Sequence, residues 1–377
     1  MAHLIRTLGA LAAFASLSFA QTPAPGTTKD DEDVVKEGPI DPFTKGDAKA
    51  MQALGILSYG PMDWADGKRT GDIEKILGEN RILWVETAHF RIGCNLGTTA
   101  APAEPDVRKL TNTELQRLNK KWSKVPGRAS KLSPWLRLHL FAQRAEDLYA
   151  DFAKLVGHDD ASGTHLGQKG KFALLLFQKK SDLVRYLDTF CGRKSELSQG
   201  VSYGSSGQIG FVLTAEDDDP RTEADVHAHF RFLLVQTFVD AQGGAPYWAK
   251  NGIAHWYERQ IETNMIFCAI RDDEHVDPMQ QGEWHKKVFA RAKRDDLFTP
   301  FRDLCTVTDL GYYGHIQSWS RVDFLLAQDR AKFGQLMLGM KGGYTVERHE
   351  QLLTQLYGMD FDQFDAKWRA WVAKTYK

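Results

Sequence analysis

The clearest helical rhythm in the chain runs from Val226 to Phe238 (VHAHFRFLLVQTF), where Val226, Phe230, Leu233, Leu234, Thr237 and Phe238 recur at helical spacing and give one apolar face. A helix stop follows at Gly243-Gly244, and Pro246 opens a second helical stretch, PYWAKNGIAHWYE, as its first-turn proline. Upstream the pattern changes period. Lys171–Phe177 (KFALLLF) is an unbroken apolar run of strand length, Ser181–Phe190 reads as a helix, and Val201–Leu213 (VSYGSSGQIGFVL) reads as a hairpin turned at glycine. Trp84–Cys94 is apolar and aromatic with loop residues on its flanks, which predicts that it shares a sheet with Lys171–Phe177. Residues from about Asp41 to Gly78 carry enough apolar positions (Met51, Leu54, Ile56, Leu57, Ile73, Ile76, Leu77) to pack on that body.

On the first of the two helices His227 and Arg231 lie four apart, so their side chains leave from one strip. Zinc peptidases use that geometry for H-E-x-x-H, in which two histidines bind the metal and the glutamate activates its water. In that register this chain has His227, then Ala228 for the glutamate and Arg231 for the second histidine. The second stretch resembles the P-x-W-x-x-E-G-x-A-x-Y-x-E segment of the peptidase MA-like, gluzincin-type zinc metallopeptidases. Pro246, Trp248, Gly252, Ala254 and Glu258 match, Trp256 stands at the aromatic position with Tyr257 one place beyond, and Asn251 replaces the third ligand. The resemblance extends outward: Trp84–Cys94 is similar to the first strand of such domains, Trp135–Gly157 to their long helix, and Tyr312–Leu326 and Leu356–Lys374 to their helical tail.

That resemblance implies an α+β fold: a metallopeptidase-like domain with a small N-terminal mixed sheet, two central former zinc-site helices and a helical C-terminal part. Its expected bounds are 84–262 for the catalytic-type domain and 263–377 for the helical subdomain, with 46–83 as an extension packed on the main body. It also implies that the catalytic machinery is gone. A guanidinium at Arg231 has no acceptor lone pair and repels a dication, the amide of Asn251 is a poor zinc ligand, and Ala228 supplies no base. The protein is therefore expected to carry no stoichiometric zinc and no other cofactor. Arg231 is expected to fill the vacated metal position, hydrogen-bonded to Asn251 and paired with Glu258. The alternative is an active hydrolase with a rearranged metal site of His227, His255 and Glu258. His229 is excluded from it because it lies about 200° around the helix from His227. Tyr313 and Trp319 complete the candidate cleft with His227, Arg231, Asn251, His255 and Glu258.

Composition narrows the partners. With 48 basic and 49 acidic residues the formal charge is −1, which offers no electrostatic footprint for nucleic acid or an anionic membrane. Residues 1–20, with Arg6, an apolar run from Leu8 to Phe19, and Ser18 and Ala20, have the pattern of a secretory signal peptide cleaved near Ala20. A secreted or periplasmic protein without a membrane span follows, with 21–45 as a disordered leader bearing the acidic run Asp30–Asp33. Four cysteines in an oxidising compartment allow two disulfides in three connectivities. Cys94–Cys191 with Cys268–Cys305 is favoured, and buried free thiols are the alternative. No G-x-S-x-G elbow, Walker loop or G-x-G-x-x-G after a strand is present, and the Asp217-Asp218-Asp219 run reads as a solvated loop. The sequence thus points to a non-hydrolytic homologue whose old cleft binds a peptide, protein or cell-envelope component, against a rearranged hydrolase or a purely structural envelope protein.

Overall fold

The computed structural model describes residues 38–79, 81–204, 206–216, 221–261, 282–342 and 345–376. The expected signal peptide, the leader as far as residue 37, the Asp217–Asp219 run and Cys268 lie outside the described residues. Among the described residues the protein is mostly helical with one five-stranded mixed sheet in the order β1-β2-β5-β7-β6, so the α+β class holds. Its strands are β1 (Leu83–Glu86), β2 (Phe90–Cys94), β5 (Phe172–Phe177), β6 (Gln199–Tyr203) and β7 (Gln208–Thr214). A two-stranded pair, β3 (Thr99–Ala100) with β4 (Lys131–Leu132), stands apart.

Trp84–Cys94 and Lys171–Phe177 do share the sheet, with β2 running parallel to β5 and Ile92 opposite Leu174. The first of these segments is not a single strand. The chain reverses at Thr87–His89, and β1 pairs back on β2 antiparallel, Val85 opposite Ile92. Every residue of β5 is buried because it is a central strand covered on both faces, which is why it reads as a continuous apolar run rather than an alternating one. Ile92, Leu174, Leu176, Phe211 and Leu213 face one core, and Trp84, Ala173, Leu175, Val201 and Val212 face a second, smaller one. The larger core is closed by helices α4 (Pro134–Val156) and α6 (Glu223–Ala241), the smaller by α2 (Thr70–Leu77) and α5 (Lys180–Cys191).

This two-sided packing also decides the cysteines. Cys94 belongs to the larger core and Cys191 packs beside the smaller one, so the sheet separates them. Cys94, Cys191 and Cys305 are free thiols, and the pairing of Cys94 with Cys191 is not formed.

The segment before the sheet buries Leu54, Ile56, Ile73 and Leu77, whereas Leu57 is 62% exposed. It begins earlier than residue 46. Trp135 Nε1 donates to the Gly38 carbonyl and Trp122 Nε1 to the Phe43 carbonyl, both at 3.0 Å, so the leader has given way to packed chain by residue 38. Asp41 anchors this stretch. Its buried carboxylate accepts from the Phe43 and Thr44 amides at 3.0 Å and from the Tyr59 hydroxyl at 2.6 Å, and it lies 3.2 Å from His139 Nε2. Burial raises its pKa, but the His139 contact and the Thr44 and Tyr59 hydrogen bonds outweigh that and hold it well below the ordinary 3.8. A lowered folded-state pKa gives stability that is present above the ordinary value and lost as the pH falls through the lowered one. Asp41→Asn is expected to cost about 1.5–3 kcal/mol at neutral pH in urea unfolding. The gap to the parent should narrow as the pH falls below 3.8; a gap that stays constant there would rule out the carboxylate charge as its source.

The C-terminal part is helical: α8 (Trp284–Lys293), α9 (Phe301–Leu304), α10 (Tyr312–Gln328), α11 (Arg330–Gly339), α12 (Val346–Tyr357) and α13 (Phe361–Thr375). It is not a separable subdomain. Helix α10 lies along α7 (Tyr247–Glu258), where a Cβ added at Gly252 would come within 2.7 Å of the Ser318 carbonyl oxygen. The glycine of the second motif is there because two helix backbones meet.

Candidate functional site

Helix α6 starts with a capping box: the Asp225 amide donates to Thr222 Oγ1 at 3.2 Å, and Asp225 Oδ2 accepts from the Thr222 amide at 2.9 Å. It ends before Gly243 and Gly244, both at positive φ, as the glycine pair predicts. It is not the one-faced helix that its apolar spacing suggests. From Glu223 to Val239 only Arg231 and Gln236 escape full burial, because the sheet and α4 cover one side and α7 another.

Those two side chains set the register against α7. Gln236 Nε2 donates to Asn251 Oδ1 at 3.0 Å, and Asn251 Nδ2 donates to the Tyr247 carbonyl at 2.9 Å. Arg231 Nε donates to the Tyr257 carbonyl at 2.8 Å and its Nη2 to Gln260 Oε1 at 2.6 Å. Arg231 therefore does not bond Asn251 or pair with Glu258. It caps the Tyr257 carbonyl near the end of α7, six residues and about 9 Å along the helix from Asn251 at 1.5 Å rise per residue. By the same rise Gln236, the partner of Asn251, lies about 13 Å along α6 from His227. The three positions His227, Arg231 and Asn251 do not converge. The residues one turn before Gln236 that share its face, Phe232 and Leu233, are apolar and offer a metal nothing.

His227 itself is buried against the Phe141 ring, and neither ring nitrogen has a hydrogen-bond partner among the described residues. Burial, with the nearby Arg144 and Arg231 charges, pushes its pKa well down, so it sits there as a neutral imidazole. Two guanidiniums beside an imidazole oppose a bound dication. Ala228 is fully buried in the same core. His229 points away, with Arg221 Nη1 2.8 Å from its Nδ1.

The rearranged metal set is also not assembled. His255 and Glu258 do meet, through His255 Nδ1 and Glu258 Oε2, but the other ring nitrogen of His255 faces His315 Nδ1 at 3.0 Å. His255 is enclosed by the rings of Phe232, Trp284 and His315 rather than by His227. Burial and the Arg259 charge push its pKa far below the ordinary value. Trp319 is a packing residue, stacked on Tyr376 at 5.5 Å and edge-on to Trp284 at 5.6 Å. Tyr313 is 39% exposed and lies under the Arg291 guanidinium.

What does open to solvent is a cleft of about 300 Å³ between α4, α6 and α7, and Arg231 is the one expected site residue that lines it. Glu114, Asp147 and Asp151 provide acidic groups, Arg144 and Arg231 basic ones, and Trp256 an aromatic face. Arg144 is held on its inner side by Glu114 and Glu223, both at 2.9 Å, and Tyr257, also in the lining, donates to Asp151 at 2.5 Å.

A second constellation escaped the sequence reading. His89, Asp160 and His165 bring one ligand atom each to within 4.8 Å of one another, as no other group of three His, Cys, Asp or Glu does among the described residues. Burial lowers the pKa of His89, and the carboxylates of Glu146 and Asp160 more than reverse that, so it is raised. His158-Asp159-Asp160 and His165 crowd one short polar loop, a density that could have flagged two of the three, but His89 comes from a separate turn. Among the described residues no helix is long and apolar enough to cross a membrane. Compared with protein-family models and with curated proteins, the chain gives no match.

Proposed function

We propose that the protein is an exported, non-hydrolytic relative of the gluzincin-type zinc peptidases that binds a peptide, protein or cell-envelope component in the cleft beside Arg231. One observation supports the reading most: the register of α6 on α7 brings apolar residues and a capping arginine, rather than ligands, to the place where a peptidase would hold its metal. The cleft that remains carries both charge signs and an aromatic face within a small volume, a lining suited to the charged ends and amide groups of a peptide-like ligand.

Two measurements test this. Purified protein incubated with an unfolded casein substrate is expected to show no cleavage with or without added zinc. Fluorescently labelled casein peptides are expected to bind, with an affinity that falls at least about tenfold, the equivalent of 1.4 kcal/mol, in a variant carrying Arg231→Ala and Trp256→Ala. Zinc-dependent cleavage lost in His227→Ala would establish the rearranged hydrolase instead. Binding that is absent, or unchanged in the double variant, would leave the cleft without a ligand role and favour the structural envelope protein.

A further inference from the structure

The loop after α4 packs against the turn between β1 and β2, and the contact is made of metal-ligating side chains. His89 sits in that turn, its carbonyl accepting from the Phe172 amide at 2.9 Å, so the turn is tied to the start of β5. Its ring is fixed from three sides. Glu146 on α4 holds Nδ1 at 2.6 Å and the His89 amide at 3.1 Å, and the Tyr149 ring stacks on the imidazole at 3.7 Å. Nε2 is thereby aimed at the loop, where Asp160 Oδ2 lies 3.1 Å away. The Tyr149 hydroxyl occupies the other oxygen of Asp160 at 2.5 Å.

The loop is as constrained as the turn. Asp160 opens a single 3-10 turn whose N-cap is Asp159, with the Ala161 amide donating to the Asp159 side chain at 3.0 Å. His165 is the first residue of a tight reversal closed by two backbone hydrogen bonds with Gln168, at 2.7 and 3.0 Å. Its central residues, Leu166 and Gly167, have φ of 51° and 94°, the positive values that a two-residue hairpin turn of this hand requires. Leu166 is a non-glycine residue in left-handed backbone, held there by its fully buried side chain. The strain sets the position of His165, whose Nδ1 is buried with no hydrogen-bond partner among the described residues.

We propose that His89, Asp160 and His165 form a zinc-binding site, independent of the cleft between α6 and α7. Two imidazoles and one carboxylate are a donor set that suits zinc and other first-row transition ions rather than magnesium or calcium. A tetrahedral zinc with bonds of about 2.0–2.1 Å needs its ligand atoms about 3.3 Å apart, which the observed cluster reaches with small side-chain movements. The arrangement behind the ligands supports this most strongly. A carboxylate on the far nitrogen of a ligating histidine fixes its tautomer and raises its basicity, and Glu146 stands in that relation to His89 while Tyr149 does the corresponding work on Asp160. His158 is spoken for by the loop, its Nε2 lying 3.0 Å from the Leu166 amide and 2.8 Å from the Thr164 carbonyl, so the protein supplies three ligands. Three protein ligands leave the fourth position to water or a ligand group, on the side where the Asp160 side chain is 49% exposed.

The test is calorimetric titration of zinc chloride into the full chain after treatment with a chelator and dialysis, with magnesium chloride as the comparison ion. Saturable binding of one zinc per chain and none of magnesium is expected. His165→Gln, a loop change that leaves the sheet turn intact, and His89→Gln should each weaken zinc binding at least about 100-fold, and Glu146→Gln should weaken it about 10–100-fold as a residue acting through His89. His227→Leu should leave it unchanged. The proposal is overturned if the parent binds no zinc, if folded His165→Gln binds as tightly as the parent, or if magnesium binds equally well; His89 is then a charge-clamped imidazole between two carboxylates. Loss of binding in His227→Leu alone would place the metal between α6 and α7 and overturn this proposal and the non-hydrolytic reading together. Failure of peptide binding in the cleft leaves this result untouched, so the two readings fail separately.

Discussion

Glu223→Ala is expected to destabilise the protein by about 3–5 kcal/mol, since it leaves a buried charge without its partner. Glu223 is the first residue of α6, and it is buried with Arg137 and Arg144 of α4 on either side. Its Oε2 lies 2.8 Å from Arg137 Nη2 and its Oε1 2.9 Å from Arg144 Nη1. Glu114 completes the set through Arg144, so two guanidiniums are balanced by two carboxylates, all four largely buried, with Glu114 and Arg144 lining the cleft. Without Glu223, Arg144 keeps Glu114, but Arg137 keeps only the Gly97 carbonyl at 2.7 Å. Urea unfolding would read the loss. Adding Arg137→Met should recover part of it, because the second change removes the stranded cation. A loss below about 1 kcal/mol, or no recovery in the pair, would mean that water screens these groups.

The second large effect is expected at Trp248, where replacement by alanine should cost about 3–5 kcal/mol through the cavity it leaves. Trp248 is fully buried at the start of α7 and meets Phe301 edge-on at 4.7 Å, and Phe301 stacks in turn on Phe364. Its indole nitrogen donates to His349 Nε2 at 3.3 Å, which is consistent with Nδ1 of the same ring donating to the Thr345 carbonyl at 2.8 Å. Trp248→Phe keeps most of the volume but loses the donor and one ring of the indole, so it should cost less, about 1–3 kcal/mol. Equal losses in the two variants would show that the hydrogen bond, not the packing, is what Trp248 contributes.

Both predictions bear on how the motif should be read. Trp248 and Gly252 are the most distinctive residues of the second helix, and each has a packing role: one fills the junction with α9 and α12, the other lets α10 approach. Those roles persist whether or not a metal is present. They account for Trp248 and Gly252 with no ligand at position 251, which is Asn.

Local pattern was enough to place several elements in order along the chain, though not the reversal inside Trp84–Cys94. Val226–Phe238 reads as a helix from its 3.6 period, and Lys171–Phe177 as a strand from its short unbroken apolar run between loop residues. Residue identity alone also shows that Ala228, Arg231 and Asn251 lack the base, the imidazole and the carboxylate of a zinc peptidase, with His227 the one matching ligand. Which side chains meet was decided by the tertiary structure. The slide of α6 against α7 put Arg231 on the Tyr257 carbonyl and Gln236 on Asn251, and no spacing within either helix encodes that offset. The two covered faces of the sheet kept Cys94 from Cys191. Arg321, fully buried on the Trp368 ring at 4.3 Å with Asp365 3.6 Å away, reads in sequence as one more polar position on a helix. The pairing of His89 with Asp160 joins residues 71 apart in the chain. Local periodicity is a property of the backbone and survives in one dimension, whereas ligand sets, buried ion pairs and clefts depend on how elements distant in sequence are packed.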